Sequence, residues 1–256
     1  MKERIISGAV IAVLTLLAIL LGGFIFKALM LVIAAIGTFE FCSTRDKKID
    51  VKQFYAMLAY VVLTILFFNK AIGILILFIV VLFALAIFDE NVDYIDICVT
   101  TLEGILLAFS IHFMIQMEDT SKLLFGYMVI IAYVTDVCAL FGGMKFGKHS
   151  LLKRISPKKT IEGFVCGWAG GAIISFAFAA LCKFFNMSAL FVILCSLVLP
   201  LVSQFGDLVF SLIKRRYDIK DFSNLIPGHG GLLDRLDSLI LISFVYGALA
   251  IIFGII

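Results

Sequence analysis

Three aspartates in apolar surroundings carry the strongest chemical signal in this chain. Asp207 stands in SQFGDLVFSLIKRR, and Asp234 and Asp237 stand in PGHGGLLDRLDS. Ser203, Asp207, Ser211 and Lys214 fall at i, i+4, i+8 and i+11, which places them on one stripe of a helix. A central aspartate costs about 2.5–3.5 kcal/mol on membrane-insertion scales, so such a residue faces an interior and does work. A plain structural alternative pairs Asp207 with Lys214 or Arg215. Asp234 and Asp237, three residues apart, share a helix face. An acidic first turn suits a helix N-terminus electrostatically, which accounts for one of them but not for both. Three carboxylates brought together repel one another, and a divalent cation removes the repulsion. Oxygen ligands beside phosphate-binding cations point to Mg²⁺.

Around these acids lie groups suited to phosphate. Gly230 and Gly231, with Pro227, make a tight turn ahead of a helix, where backbone N–H groups can approach an anion; a plain turn fits the same residues. His229 is an acid or base, a phosphate donor or a turn residue, and phosphate donor ranks first. Lys214, Arg215 and Lys220 can bind phosphates or touch anionic lipid head groups. Arg216, Lys153 and Arg154 read as membrane-surface anchors. SPKKT is more specific: Ser156, Lys158, Lys159 and Thr160 surround a helix-entry proline, and the lysines can clamp a triphosphate. Asp136 is a further carboxylate inside an apolar run. Glu40, Asp96, Glu103 and Glu118 also lie in or near such runs, with no role legible from sequence. The six cysteines stand singly, with no CxxC pair, and read as small buried hydrophobes rather than as disulfides or zinc ligands.

The elements that must position these groups are membrane helices. The chain has 256 residues, of which 63% are apolar and 15% charged, and its mean hydropathy is +1.16. A soluble domain carries about 25% charged residues, so this surface faces hydrocarbon. The expected fold is all-α and polytopic, with nine apolar spans near 5–23, 25–43, 52–68, 71–88, 94–117, 123–143, 161–182, 188–212 and 235–255. With the N-terminus inside, the outer segments hold only Lys27, Lys70, Lys122 and Lys183 of the 21 basic residues. The positive-inside rule therefore puts the N-terminus and both long polar segments, 144–160 and 214–235, in the cytoplasm. Residues 1–120 form an N-terminal set of helices and 121–256 a C-terminal catalytic region.

The stretch SLIKRRYDIKDFSNLIPGHGGLLDRLD (211–237) resembles the C-terminal motif of phosphatidate cytidylyltransferases, also called CDP-diacylglycerol synthases. Ser211, Lys214, Arg215, Lys220, Asp221, Ser223, His229, Gly230, Gly231, Asp234, Arg235 and Asp237 all fit that motif. FGKHSLLKRISPKKTIEG (146–163) resembles a second family segment, and Asp136 falls where the family has an aspartate. Leu140 and Met144 depart from it, standing where tyrosine and arginine are common. The resemblance implies the reaction CTP + phosphatidate → CDP-diacylglycerol + pyrophosphate, Mg²⁺ dependence with room for a second cation, and a cytoplasm-facing site in the cell membrane. It also implies that Asp207 and Asp234 belong to the metal centre, with Asp237 as ligand or support and Asp136 as a further candidate. On this reading Lys214, Arg215, Lys220 and Arg235 bind phosphates. Lys158, Lys159 and Thr160 contact CTP, Ser156 shapes their loop, and Glu162 orients a lysine. The expected partners are CTP, phosphatidate and membrane lipid, without nucleic acid; a homodimer is compatible. A CTP-dependent transferase acting on another lipid is the near rival, and an ion-coupled transporter the distant one.

Overall fold

A computed structural model describes residues 20–44, 51–90, 92–184, 188–226 and 230–255. The first expected span, 5–23, lies almost wholly outside them. The helices are α1 (Gly23–Ser43), α2 (Val51–Leu66), α3 (Ala71–Phe88, entered by a 3-10 turn at Phe68–Lys70) and α4 (Tyr94–Thr120). They continue with α5 (Lys122–Phe146), α6 (Ile161–Leu181), α7 (Ala189–Arg216) and α8 (Leu233–Ile252). Among the described residues, seven helices are long and apolar enough to cross a membrane, so the chain is a multi-pass membrane protein. The eighth, α2, has 16 residues and is about 24 Å long, short of a hydrocarbon core about 30 Å thick.

Helix starts follow local chemistry. Ser121, Thr160 and Ser188 each turn a hydroxyl oxygen toward a backbone N–H of the turn that follows, capping α5, α6 and α7. Pro200 lies buried within α7, and the helix runs through it. A proline is tolerated there because neighbouring helices re-satisfy the freed backbone groups.

The chain divides into two compact units, Met1–Asp119 with Asp221–Arg235, and Thr120–Lys220 with Leu236–Ile256. In the first, Tyr60 on α2 stacks on Phe78 of α3 at 4.3 Å between ring centroids. There Thr100 on α4 donates to Gln53 on α2 at 3.3 Å. In the second, Tyr127 on α5 and Ser196 on α7 share a buried hydrogen bond of 2.8 Å, and Phe191 on α7 meets Tyr246 on α8 edge-on. Polar pairs of this kind join helices where lipid supplies no hydrophobic drive between them. Phe24, Ile72, Phe88 and Leu181 are largely exposed, as expected of side chains that face lipid.

The expected loop 144–160 carries two short strands. β1 (Ser150–Leu152) and β2 (Ser156–Thr160) form an antiparallel hairpin, with Ser150 opposite Thr160 and Leu152 opposite Ser156. The backbone N–H of Ile161 donates to the His149 carbonyl at 2.9 Å and ties the hairpin to the start of α6.

Candidate functional site

In the second unit, the hairpin delivers its lysines to a cavity of about 510 Å³. Asp136 of α5, Lys158, Lys159 and Thr160 of β2, and Gln204 and Asp207 of α7 are among its lining residues. Lys159 Nζ lies 2.8 Å from Asp207 Oδ2, with both side chains partly exposed. Asp207 thus pairs with a lysine 48 residues away along the chain. Asp136 stands within electrostatic range of both Asp207 and Lys159. Leu140 and Met144, the two departures from the family segment, line the same cavity.

Asp237 joins this group. Its side chain lies within hydrogen-bonding reach of Asp207, and Lys214 is within electrostatic range of it. Gly206 makes the approach of α7 to α8 possible: a Cβ there would stand 2.9 Å from the Asp237 carbonyl oxygen and 3.0 Å from Ser238 Cα. Ser238, nearly fully buried, donates its backbone N–H to Asp237 Oδ1 at 2.8 Å and its hydroxyl to Asp207 Oδ1 at 3.4 Å. Sequence reading passed over Ser238, although its place directly after Asp237 on an apolar helix was a signal. Ser203, one turn before Asp207 on α7, is buried, and its hydroxyl has no hydrogen-bond partner among the described residues.

Several neighbours have other tasks. Thr160 Oγ accepts the Gly163 N–H at 3.1 Å and caps α6, while Ser156 closes the hairpin opposite Leu152. Glu162 was expected to orient a lysine. Instead its carboxylate accepts the His149 ring nitrogen at 2.6 Å and the backbone N–H groups of Lys148 and His149. It lies in the first turn of α6, beside the hairpin's entry. Ser211 follows Asp207 by one turn on α7. The Arg215 guanidinium folds back onto the Ile219 carbonyl at 3.1 Å, and Lys220 is exposed just beyond.

In the first unit, the motif turn is built by carboxylates. Asp234 Oδ2 accepts the N–H groups of Phe222 at 2.8 Å and Gly231 at 2.9 Å. Gly230 takes φ +84°, a left-handed conformation that side chains disfavour. Arg235 is exposed on the first turn of α8. His229 lies outside the described residues. Glu40, to which sequence assigned no role, is wholly buried in α1 and accepts hydrogen bonds from Ser223, Leu232 and Leu233. Among the described residues, no three His, Cys, Asp or Glu side chains stand together in an arrangement that could hold a metal ion.

The profile of a family described as the cytidylyltransferase family matches residues 2–253. A phosphatidate cytidylyltransferase of Bacillus subtilis (strain 168) is 30% identical over 272 aligned residues, covering 98% of each chain. One of Staphylococcus aureus (strain COL) is 36% identical over 141 residues, covering 55% of this chain and 53% of that one. Another, of Rickettsia conorii (strain ATCC VR-613 / Malish 7), is 35% identical over 146 residues, covering 54% and 63%. With its profile matched almost from end to end and a relative aligned along nearly its whole length, this chain belongs to the cytidylyltransferase family.

Proposed function

We propose that this chain transfers CMP from CTP to phosphatidate, releasing pyrophosphate and leaving CDP-diacylglycerol in the bilayer. The observation that carries this reading is the Lys159–Asp207 pair in the lining of a cavity shared with Lys158 and Asp136, within a chain otherwise built for hydrocarbon. A volume of about 510 Å³ is within the range of small-molecule and cofactor sites. Family membership and the relatives' names support the choice of CTP and phosphatidate.

A phosphate oxygen of phosphatidate attacks the α-phosphorus of CTP. A new P–O bond forms while the bond from that phosphorus to the bridging oxygen breaks, and both electrons leave with pyrophosphate. The attacking oxygen is already ionised, so no general base is required. The work is positioning and charge stabilisation. Lys158 and Lys159 bind the CTP phosphates and offset the repulsion between two anionic substrates. Lys214, Arg215, Lys220 and Arg235 serve the remaining phosphate charge.

The facing carboxylates of Asp207 and Asp237 are hard oxygen donors with excess negative charge. They fit Mg²⁺, which binds through one or two carboxylates together with substrate phosphates. The proposed ligands are Asp207 and Asp237, with Asp136 nearby as support for Asp207; the motif resemblance alone adds Asp234. When bound, the ion would supply Lewis-acid stabilisation of charge on the phosphoryl oxygens. The clustering of lysine and arginine in alternate loops supports an N-terminus and an active site facing the cytoplasm, in the cell membrane.

Purified protein in detergent, given Mg²⁺, CTP and phosphatidate, should yield CDP-diacylglycerol. Product formed with a polyprenol phosphate or an isoprenoid ether lipid, and not with phosphatidate, would overturn the reading.

A further inference from the structure

We propose that Glu40 is a positioning residue for the reaction, holding the 221–235 segment and the first turn of α8 in their working geometry; this rests on the function proposed above. Glu40 sits on α1 and is wholly buried. Its Oε1 accepts the Ser223 hydroxyl at 2.6 Å and the Leu232 N–H at 2.8 Å, and its Oε2 accepts the Leu233 N–H at 2.7 Å. The partners lie 183 to 193 residues along the chain.

The first N–H groups of a helix have no partner within it, and a negative group beside them is favoured by the helix dipole. Glu40 supplies both needs from another element. Ser223 extends the chain of bonds, because its oxygen also accepts the Leu225 N–H at 3.2 Å. Phe41, next to Glu40, packs edge-on against Phe222 with ring centroids 5.6 Å apart.

Gly231 supports the same assignment independently. A Cβ there would stand 2.6 Å from Glu40 Oε1 and 2.9 Å from its carboxyl carbon. The second glycine of GHGG is therefore the residue that lets the Glu40 carboxylate reach the helix start. With Asp234 taking the Gly231 N–H, the N–H groups of residues 231 to 233 all donate to carboxylates of the chain itself. A phosphate seated on those groups would have to displace two carboxylates. The turn instead works as a clamp that sets where α8 begins, and with it the direction in which Asp234 and Arg235 leave the helix. Glu40 touches no substrate in this account; it acts through those two side chains.

The test is steady-state kinetics on Glu40→Gln in detergent, with the folded fraction set by thermal melting. Glutamine offers one acceptor oxygen and turns an N–H₂ toward a backbone donor. Loss of a supporting partner of this kind costs roughly 10–100-fold, so kcat should fall by that factor while KM for CTP stays within about two-fold. Unchanged kcat per folded molecule would overturn the proposal, since a role confined to folding lowers only the folded amount. A rise in KM for CTP at unchanged kcat would overturn it equally. If Glu40→Gln shows no melting transition, Ser223→Ala removes one of the three bonds and should lower kcat by a smaller factor; unchanged kcat there overturns the proposal. Wild-type protein that makes no CDP-diacylglycerol would sink the function itself. Active wild type with an equally active Glu40→Gln would sink only the role of Glu40.

Discussion

Two groups of carboxylates in this molecule use the same chemistry for opposite ends. In the first unit, Glu40 and one oxygen of Asp234 are given over to backbone N–H groups and fix a turn. In the second, Asp207 faces Asp237, with Lys159 on its Oδ2, beside an open cavity. The comparison shows that residue type does not assign a role in a membrane. A buried carboxylate whose oxygens meet backbone donors is part of the scaffold. A carboxylate facing its like, beside a lysine and an open cavity, is where the proposed function places a cation and an anionic substrate.

Asp207→Asn should break the second group most severely. It removes the charge that Lys159 and the proposed cation share, and kcat should fall by about 10²–10³. Activity within a few-fold of wild type would remove Asp207 from the site. Asp234→Asn separates the two uses of one side chain. Asparagine keeps an oxygen that can accept both the Phe222 and the Gly231 N–H groups, so the melting temperature should hold. Lost charge should nonetheless cost roughly 100-fold in activity and raise the Mg²⁺ needed for half-maximal rate. Near-normal activity at limiting Mg²⁺ would assign Asp234 to the turn alone.

Gly231→Ala tests the clamp from the other side. Its Cβ would press on the Glu40 carboxylate, and overpacking of this kind costs about 1–3 kcal/mol, read as a lower melting temperature. Because the two residues touch, the cost should shrink markedly in a Glu40→Ala background; simple additivity would show that they do not interact. Glu162→Gln should do least. Its ring partner His149 is exposed and the pair sits at the surface, so activity should stay within about three-fold of wild type.

The apolar runs made the membrane helices legible, because a span announces itself by length and composition alone. The short hairpin at 150–160 was not legible: three- and five-residue strands carry little periodicity, and the segment read as a charged loop. Asp207 stood out as a carboxylate in an apolar helix, with Lys214 or Arg215 offered only as its plain structural alternative. Local spacing shows only neighbours along the same helix, whereas Lys159 arrives on the hairpin. Glu40 was visible as an acid in an apolar run and nothing more. Its three partners come from a segment more than 180 residues away, and no local pattern encodes that pairing. The two glycines of GHGG were read as room for phosphate or as a plain turn; Gly231 makes room for a carboxylate of the chain itself.

The central claim is nucleotidyl transfer to a lipid, and the fate of labelled phosphorus tests it most directly. Wild-type protein is incubated with Mg²⁺, phosphatidate and CTP labelled at either the α- or the γ-phosphorus, and the lipid and aqueous fractions are counted separately. The account predicts α-label in the lipid and γ-label in pyrophosphate. Label from the γ-position in the lipid, or none from the α-position, would contradict it.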